Sequence, residues 1–261
     1  MIKSELLTEI TQEQLERFIH NSNYGFQEKF NGERRTICKQ GKTIRNWNRE
    51  GESGKPLPVV LINALRSHPL EQFVIDVELV KSTIHVFDSL ILGDETIIHD
   101  AYEYRESRYH AEFDGFSPRI IPVKTTRDDT AKIKLVIALL ESHSEGVVIK
   151  NMAKSYSEGR SGNHFKLKFT RTLDAVVIGP SPEGHNSVRI GVYDERGRLY
   201  EVSGVSLRGK FQLNKLDVVE VRYLYATRSN HIVQPVLLRK RNDKRADDCL
   251  LNQLVKHKDQ L

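Results

Sequence analysis

Gln27-Glu28-Lys29-Phe30-Asn31-Gly32-Glu33-Arg34-Arg35 sets one lysine among carboxylates and arginines, two residues before an Asn-Gly step. Glycine accepts positive φ and asparagine tolerates it, so the step predicts a tight turn. Such a turn holds Lys29 still while Arg34 comes back towards it. A protonated lysine is a poor nucleophile, and desolvation or neighbouring cations favour its neutral, reactive form. Taken by itself the stretch reads equally as a surface hairpin with solvated charges, because short motifs match by chance. The rest of the chain decides between the two.

A chain of 261 residues makes one large domain or two ordinary ones. Its net charge of +5 permits a polyanionic partner without demanding one. Cys38 and Cys249, far apart in sequence, read as reduced thiols of an intracellular protein. Met1 to Gln14 carries Glu5, Glu9 and Glu13 and no long apolar run, so neither a signal peptide nor a membrane anchor is expected, and the expected location is cytoplasmic.

Upstream of the lysine, Thr11-x-x-Gln14 has the form of a capping box, and Leu15, Phe18 and Ile19 follow at helical spacing. They predict a helix from about Gln12 to His20. Downstream, residues 35–47 turning at Gly41 predict a hairpin, with Asn46 to Gly51 at its far end. Pro58 is placed to start a helix whose apolar face is Val59, Ile62 and Leu65, and which stops before Pro69. Phe73 to Val80 is a β-branched strand carrying Asp76 and Glu78 on one face. Two acids side by side on a buried strand call for a facing cation, a metal or ribose hydroxyls; an edge strand with one wet face is the plain alternative. Ile84 to Leu90 is a second strand, with Phe87 and Asp88.

Tyr102 to Phe113 predicts a helix with Arg105 and Arg108 on its outside. Asp128 to Ser142 predicts another, with Ile133, Ile137 and Leu140 stacked on one face, leading into the strand Glu145 to Lys150. Residues 151–164, rich in Ser, Gly and charge, predict a mobile loop. In Phe165-Lys166-Leu167-Lys168-Phe169 alternation puts both lysines on one face. From Asp174 onward short strands (175–179, 188–193, 199–202 and 218–225) alternate with turns at Pro180 to Gly184 and Glu195 to Gly197. That spacing predicts a small closed barrel such as an OB-fold. It ends in the basic run Arg239 to Arg245, a solvated face or a nucleic-acid contact. Asp248 to Lys258 predicts a short terminal helix.

Taken together these pieces resemble the covalent nucleotidyltransferase superfamily of ATP-dependent DNA ligases, RNA ligases and mRNA capping enzymes. Lys29-Phe-Asn-Gly-Glu-Arg34 matches the family's Lys-x-Asp-Gly-x-Arg motif with one change, Asn31 for aspartate. Arg49 resembles the arginine of the next block. Asp76-Val-Glu78-Leu resembles the block whose glutamate contacts ribose or metal, and Phe87 lies where the family stacks an aromatic on the purine. Glu145-Gly-Val-Val-Ile-Lys150 and Lys166-Leu-Lys168 resemble the next two blocks. Arg239-x-Arg241-x-Asp243-Lys244 resembles the last. Each motif is weak alone; all of them in family order, from Gln27 to Lys244, make a strong signal.

The resemblance implies an α+β chain: a nucleotidyltransferase (ATP-grasp-like ligase) domain of antiparallel sheets with helices over residues 1–171, then an all-β OB-fold domain over residues 172–261. It implies an ATP-dependent DNA ligase of the minimal two-domain form, a monomer acting on nicked duplex DNA with a 3′-hydroxyl and a 5′-phosphate. AMP is carried on Lys29, with Mg²⁺ as cofactor. Gln27, two residues before the nucleophile, is implied in selecting the base, and Arg34 and Arg49 in holding ribose or phosphate. Glu78 and Glu145 are implied for ribose or metal, Lys150, Lys166 and Lys168 around the α-phosphate, and Arg239, Arg241 and Lys244 at pyrophosphate, with Asp243 of the same block implied in cofactor binding. The alternatives are an RNA ligase, a GTP-dependent capping enzyme, or a catalytically silent nucleic-acid-binding relative.

Overall fold

The computed structural model describes residues 3–182, 186–207 and 212–256. The chain forms two compact units, one of Met1–Ala138 with Gly146–Leu167, the other of Leu139–Glu145 with Lys168–Leu261. In chain order the elements are β1 (Thr8–Glu9), α1 (Glu16–Ile19), β2 (Tyr24–Lys29), β3 (Glu33–Gln40), β4 (Thr43–Trp47), α2 (Val59–Ser67), β5 (Gln72–Val80), β6 (Thr83–Leu92), β7 (Glu95–Thr96), α3 (Tyr102–Phe113), β8 (Ile120–Pro122), α4 (Asp129–Glu141), β9 (Gly146–Asn151), β10 (Phe165–Lys168), β11 (Arg171–Pro180), β12 (Ser187–Tyr193), β13 (Leu199–Ser206), β14 (Val218–Tyr223) and β15 (Val236–Lys240). Among the described residues no helix is long and apolar enough to cross a membrane.

The first unit is built on two sheets, one ordered β1-β10-β9-β2 and one ordered β4-β3-β5-β6-β7 with β8 added beside β6. They are mostly antiparallel, but β1 runs parallel to β10 and β8 parallel to β6. Ile37, Phe73, Ile75, Val77 and Val86 from the larger sheet close over Leu61 and Leu65 of α2 and Tyr109 and Phe113 of α3. Pro58 caps α2, as its fixed φ suits. The buried face of α2 is Leu61 and Leu65, with Ile62 partly buried against the same core, whereas Val59 is exposed.

Other sequence expectations shift for identifiable reasons. The first helix is one turn, Glu16–Ile19, not nine residues. Gln14 does reach back to the Thr11 N–H, but Gln12 to Leu15 stay in a turn. Lys132 sends its ammonium into the end of that turn, donating to the carbonyls of Phe18, Ile19 and Asn21. This lysine lies on the buried face of α4 with Val136 and Leu139, so the stacked row Ile133, Ile137 and Leu140 is the exposed face. Residues 151–164 are fastened, not loose: Met152, Tyr156 and His164 are buried, and the Gly159 N–H donates to the Ser4 carbonyl.

The second unit holds a five-stranded antiparallel sheet ordered β13-β12-β11-β14-β15. Its core includes Val177, Ile190, Val202, Val219 and Tyr223. β11 and β13 run longer than alternation alone predicts, and Val236–Lys240, whose last two residues open the predicted basic run, is an edge strand. At the β12–β13 turn Asp194 accepts from the backbone N–H groups of Arg196 and Arg198, with Gly197 at φ 74°. In the other predicted turn, Glu183 and Gly184 lie outside the described residues. In place of the terminal helix come two 3₁₀ turns, Ala246–Asp248 and Leu251–Gln253; Lys258 and its neighbour His257 lie outside the described residues.

Both cysteines are free thiols. Burial, helped by the nearby Asp174 carboxylate, pushes the Cys249 thiol up to about 11. The thiolate is the reactive form. Cys249 is therefore expected to resist iodoacetamide at pH 8 in the native protein and to react once denatured; equal labelling rates in both states would show a solvent-reached side chain.

Candidate active site

Lys29 ends β2, and its strand partner is Gly146 at the start of β9. The two motif segments therefore lie in one ladder, from Tyr24 opposite Asn151 to Lys29 opposite Gly146. Phe30 to Gly32 then carry the chain into β3. Gly32 is not in the left-handed region that the Asn-Gly step predicted. It is needed for a different reason: a Cβ there would sit 2.3 Å from the Leu79 carbonyl oxygen. Its N–H donates to Glu78 Oε1 at 3.0 Å. The turn after Lys29 is thus pressed against β5 and tied to the predicted glutamate. Phe30 stacks on His85 of β6, ring centres 3.9 Å apart.

Arg34 forks onto Asp76, Nε to Oδ1 at 3.0 Å and Nη2 to Oδ2 at 2.5 Å, and its Nη1 donates to the Glu5 carbonyl. Asp76 is fully buried and also accepts from the Tyr156 hydroxyl at 3.0 Å. The cation demanded by an acid on this strand is therefore Arg34. Burial works against the Arg34 charge, but Asp76 more than compensates and holds its proton more tightly than an ordinary guanidinium. Asp76 and Glu78 lie on one face of β5, opposite the core residues Phe73, Ile75 and Val77, but at different depths: Asp76 is fully buried and Glu78 partly exposed.

Two cations, Arg34 and Lys150, each stand 5.2 Å from the Phe87 ring centre. Lys150 is buried, 4.5 Å above the Tyr102 ring and 3.9 Å from Asp88 Oδ2. Burial lowers its hold on the proton, and Asp88 and Glu5 oppose that. Gln27 is buried too, its amide donating to the Tyr102 hydroxyl at 2.7 Å and to Thr125 Oγ1 at 2.9 Å; the Tyr102 hydroxyl donates in turn to the Phe87 carbonyl. Burial pushes the Tyr102 hydroxyl well above the usual phenol range, so it stays a donor.

The structure thus brings Gln27, Arg34, Phe87 and Lys150 into one connected cluster, with Lys29 and Glu78 at its rim through β2 and the Gly32 turn. Other predicted residues have local partners. Arg49 lies in the exposed turn after β4, paired with Glu50 at 3.0 Å. Lys166 faces Glu9 at 3.6 Å and Lys168 donates to Gln234. Glu145 immediately precedes β9. In the second unit Arg239 pairs with Glu220, while Arg241 and Lys244 both grip Asp174, at 3.0 and 2.5 Å. Asp243 is forked by Arg241, which holds its carboxyl well below the usual range.

Several cluster members escaped sequence reasoning. Arg105, expected on the outside of its helix, is fully buried and forks onto Asp88. Its position with Tyr102, Glu106, Tyr109 and Phe113 on the i, i+3, i+4, i+7 stripe was the available signal. Glu5 and His164 face each other at 3.4 Å, both buried. His164 Nδ1 accepts from the Asn151 N–H, which leaves its proton on Nε2, towards Glu5. Burial and the Lys150 charge keep His164 below the ordinary imidazole range, so the ring is neutral at pH 7. Nothing in the spacing of Glu5 and His164 pairs them; parallel pairing of β1 with β10 does.

No protein-family model matches the chain. It is similar to a DNA ligase of Methanothrix thermoacetophila, 29% identical over 185 residues, which are 66% of this chain and 32% of the relative. Of the curated relatives it matches first, the chain spans about a third of the length or less. Among solved structures it resembles a mycobacterial DNA ligase D complexed with ATP, at 18% identity and TM-score 0.56, covering 95% of this chain and 97% of that one. It also resembles a structure from a study of DNA binding by minimal Lig E DNA ligases, at 14% identity and TM-score 0.66, covering 92% of this chain and all of that one. At such identity the structural likeness speaks for the fold, a sheet-rich ligase nucleotidyltransferase architecture with few helices. The sequence matches are likewise to DNA ligases, at 29–30% identity over 55–66% of this chain.

Proposed function

We propose that this chain is an ATP-dependent DNA ligase that seals nicks in duplex DNA. The carrying observation is the β2–β9 ladder, which sets Lys29 opposite the start of the strand bearing Lys150, with Lys150 and Arg34 each 5.2 Å from the Phe87 ring centre. In the first step the Lys29 amine attacks the α-phosphate of ATP, forming an N–P bond as pyrophosphate leaves. The AMP then passes to the 5′-phosphate at a nick, and the 3′-hydroxyl displaces it. Such chemistry is mostly positioning and neutralisation of phosphate charge. Phe87 offers its face to the purine, and Gln27, locked by Tyr102 and Thr125, reads the base edge. Lys150, Lys166 and Lys168 serve the α-phosphate. Arg34 spends three of its five N–H donors on Asp76 and Glu5, fixing the direction of the remaining edge towards ribose or phosphate. Arg49 serves the 5′-phosphate.

Among the described residues no group of three or more His, Cys, Asp and Glu cages an ion. Mg²⁺ is bound by one or two carboxylates plus substrate phosphates. Glu78, partly exposed beside the Gly32 turn, suits that role, and Glu145 is proposed with it. The ion would neutralise charge on the phosphate oxygens. The boundary between an adenylation domain and an OB-fold domain is placed near residue 171. The OB reading is supported by five antiparallel strands and by the Ile232 N–H donating to the Val202 carbonyl, which links β13 to the segment after β14. The protein is read as a cytoplasmic monomer.

The test is label transfer from ATP against GTP, followed by sealing of nicked DNA against nicked RNA. Covalent label from ATP and sealing of DNA are expected; label from GTP alone points to a capping enzyme, and sealing of RNA alone to an RNA ligase. A second outcome separates the steps. Arg239→Ala and Lys244→Ala should block adenylation but largely spare joining at a nick that already carries a 5′-adenylate, since the last step contains no pyrophosphate. Equal loss in both assays would remove these residues from the first step.

A further inference from the structure

The cation offered to the α-phosphate is not placed by β9 alone. Asp88, buried on β6, stands 3.9 Å from Lys150 Nζ and is forked by Arg105, Nε at 2.7 Å and Nη2 at 2.9 Å. Arg105 is fully buried on α3, and its Nη1 donates to the carbonyls of Asp100 and Lys154, at 2.6 and 3.3 Å. Tyr102, one turn earlier on the same helix, supplies the ring beneath the Lys150 ammonium. A buried carboxylate shared by two cations is stable only while its charge is matched and its oxygens are hydrogen-bonded. Arg105 supplies the geometric half of that arrangement, leaving Asp88 aimed at Lys150.

We propose that Asp88 and Arg105 are positioning residues for adenylation, the Arg105–Asp88 pair holding the Lys150 ammonium in place over Phe87 and Tyr102. The proposal rests on the adenylation reading above. The ionisable groups that face Lys150 are Asp88 from β6, Glu5 from the N-terminal segment, Arg34 from β3, Arg105 and Tyr102 from α3, and His164 from the segment before β10. Burial and the two arginines drive the Lys150 proton off; Asp88 and Glu5 keep it on. Removing the Asp88 charge therefore makes Lys150 lose its proton at lower pH.

The experiment measures the rate of AMP-adduct formation from ATP between pH 6 and 10 in wild type, Asp88→Asn and Arg105→Lys, with circular dichroism to check folding. In Asp88→Asn the rate at pH 8 should fall roughly 10- to 100-fold, the range seen when a supporting partner of a site residue is removed. Its alkaline limb should move to lower pH by about one unit or more, as expected for loss of an opposite charge at this distance. In Arg105→Lys, which keeps charge beside Asp88 but loses the fork, the rate should fall while the limb stays in place. A folded Asp88→Asn with the wild-type rate and limb overturns the proposal. Should Asp88→Asn not fold, a wild-type rate in Arg105→Lys overturns it. Wild-type protein that takes no AMP from ATP at any pH instead overturns the adenylation reading beneath it.

Discussion

Lys29→Ala will carry no AMP after incubation with ATP and will seal no nick, while keeping its fold. Loss of a covalent nucleophile costs on the order of 10⁶ in turnover where it has been measured in a hydrolase, so residual adduct should lie below detection. The fold should survive because Lys29 is the last residue of β2, only partly buried, and its backbone pairing with Gly146 does not depend on its side chain. Lys29→Arg should fail as well: a guanidinium keeps its proton and offers no lone pair. The measurement is intact-protein mass spectrometry with peptide mapping of any adduct. An adduct of undiminished yield in Lys29→Ala would mean that another residue is the nucleophile.

Arg34→Ala should be the most destabilising single substitution at the site. It strands Asp76, whose side chain is fully buried, opposite Asp88 in the β5–β6 register. Removing one partner of a buried pair costs about 3–5 kcal/mol, because the remaining charge loses its compensation. In a chain of this size that lowers Tm by roughly 6–20 °C. The contrast is Arg239→Ala, which removes a pair with Glu220 from an exposed position, where such pairs contribute about 0–1 kcal/mol. Replacing both partners, Arg34→Met with Asp76→Leu, should recover much of the loss. The check is thermal unfolding of the three variants beside wild type. An Arg34→Ala melt within a degree or two of Arg239→Ala would show that the pair does not hold β3 on β5, and that Arg34 is free to serve a ligand.

Much of this protein was legible in the sequence, and the legible parts share a cause. Hairpins, strands and most helices follow from local period and turn chemistry, so β3–β4, β5, β6, α2, α3 and β9 stand where alternation, Pro58 and Gly41 put them. The motif order carried the resemblance to the family. Misreadings fall where a distant partner overrides a local rule. Arg105 was assigned to solvent because arginine is seldom buried, and Asp88, seventeen residues away, reverses that. Ile133, Ile137 and Leu140 do stack on one face as their spacing predicts, yet that face is exposed, and Lys132 occupies the inward one by capping carbonyls more than a hundred residues earlier. Gly32 looked like a turn glycine and is instead a close-approach glycine against Leu79. The sequence by itself determined the elements, the motif order and the nucleophile candidate, because these depend on neighbours along the chain. Only the tertiary structure decided which charges are paired and buried (Arg34 with Asp76, Arg105 and Lys150 with Asp88). A buried charge is tolerable only beside a specific opposite charge, and strand pairing, not sequence spacing, brings that partner within reach.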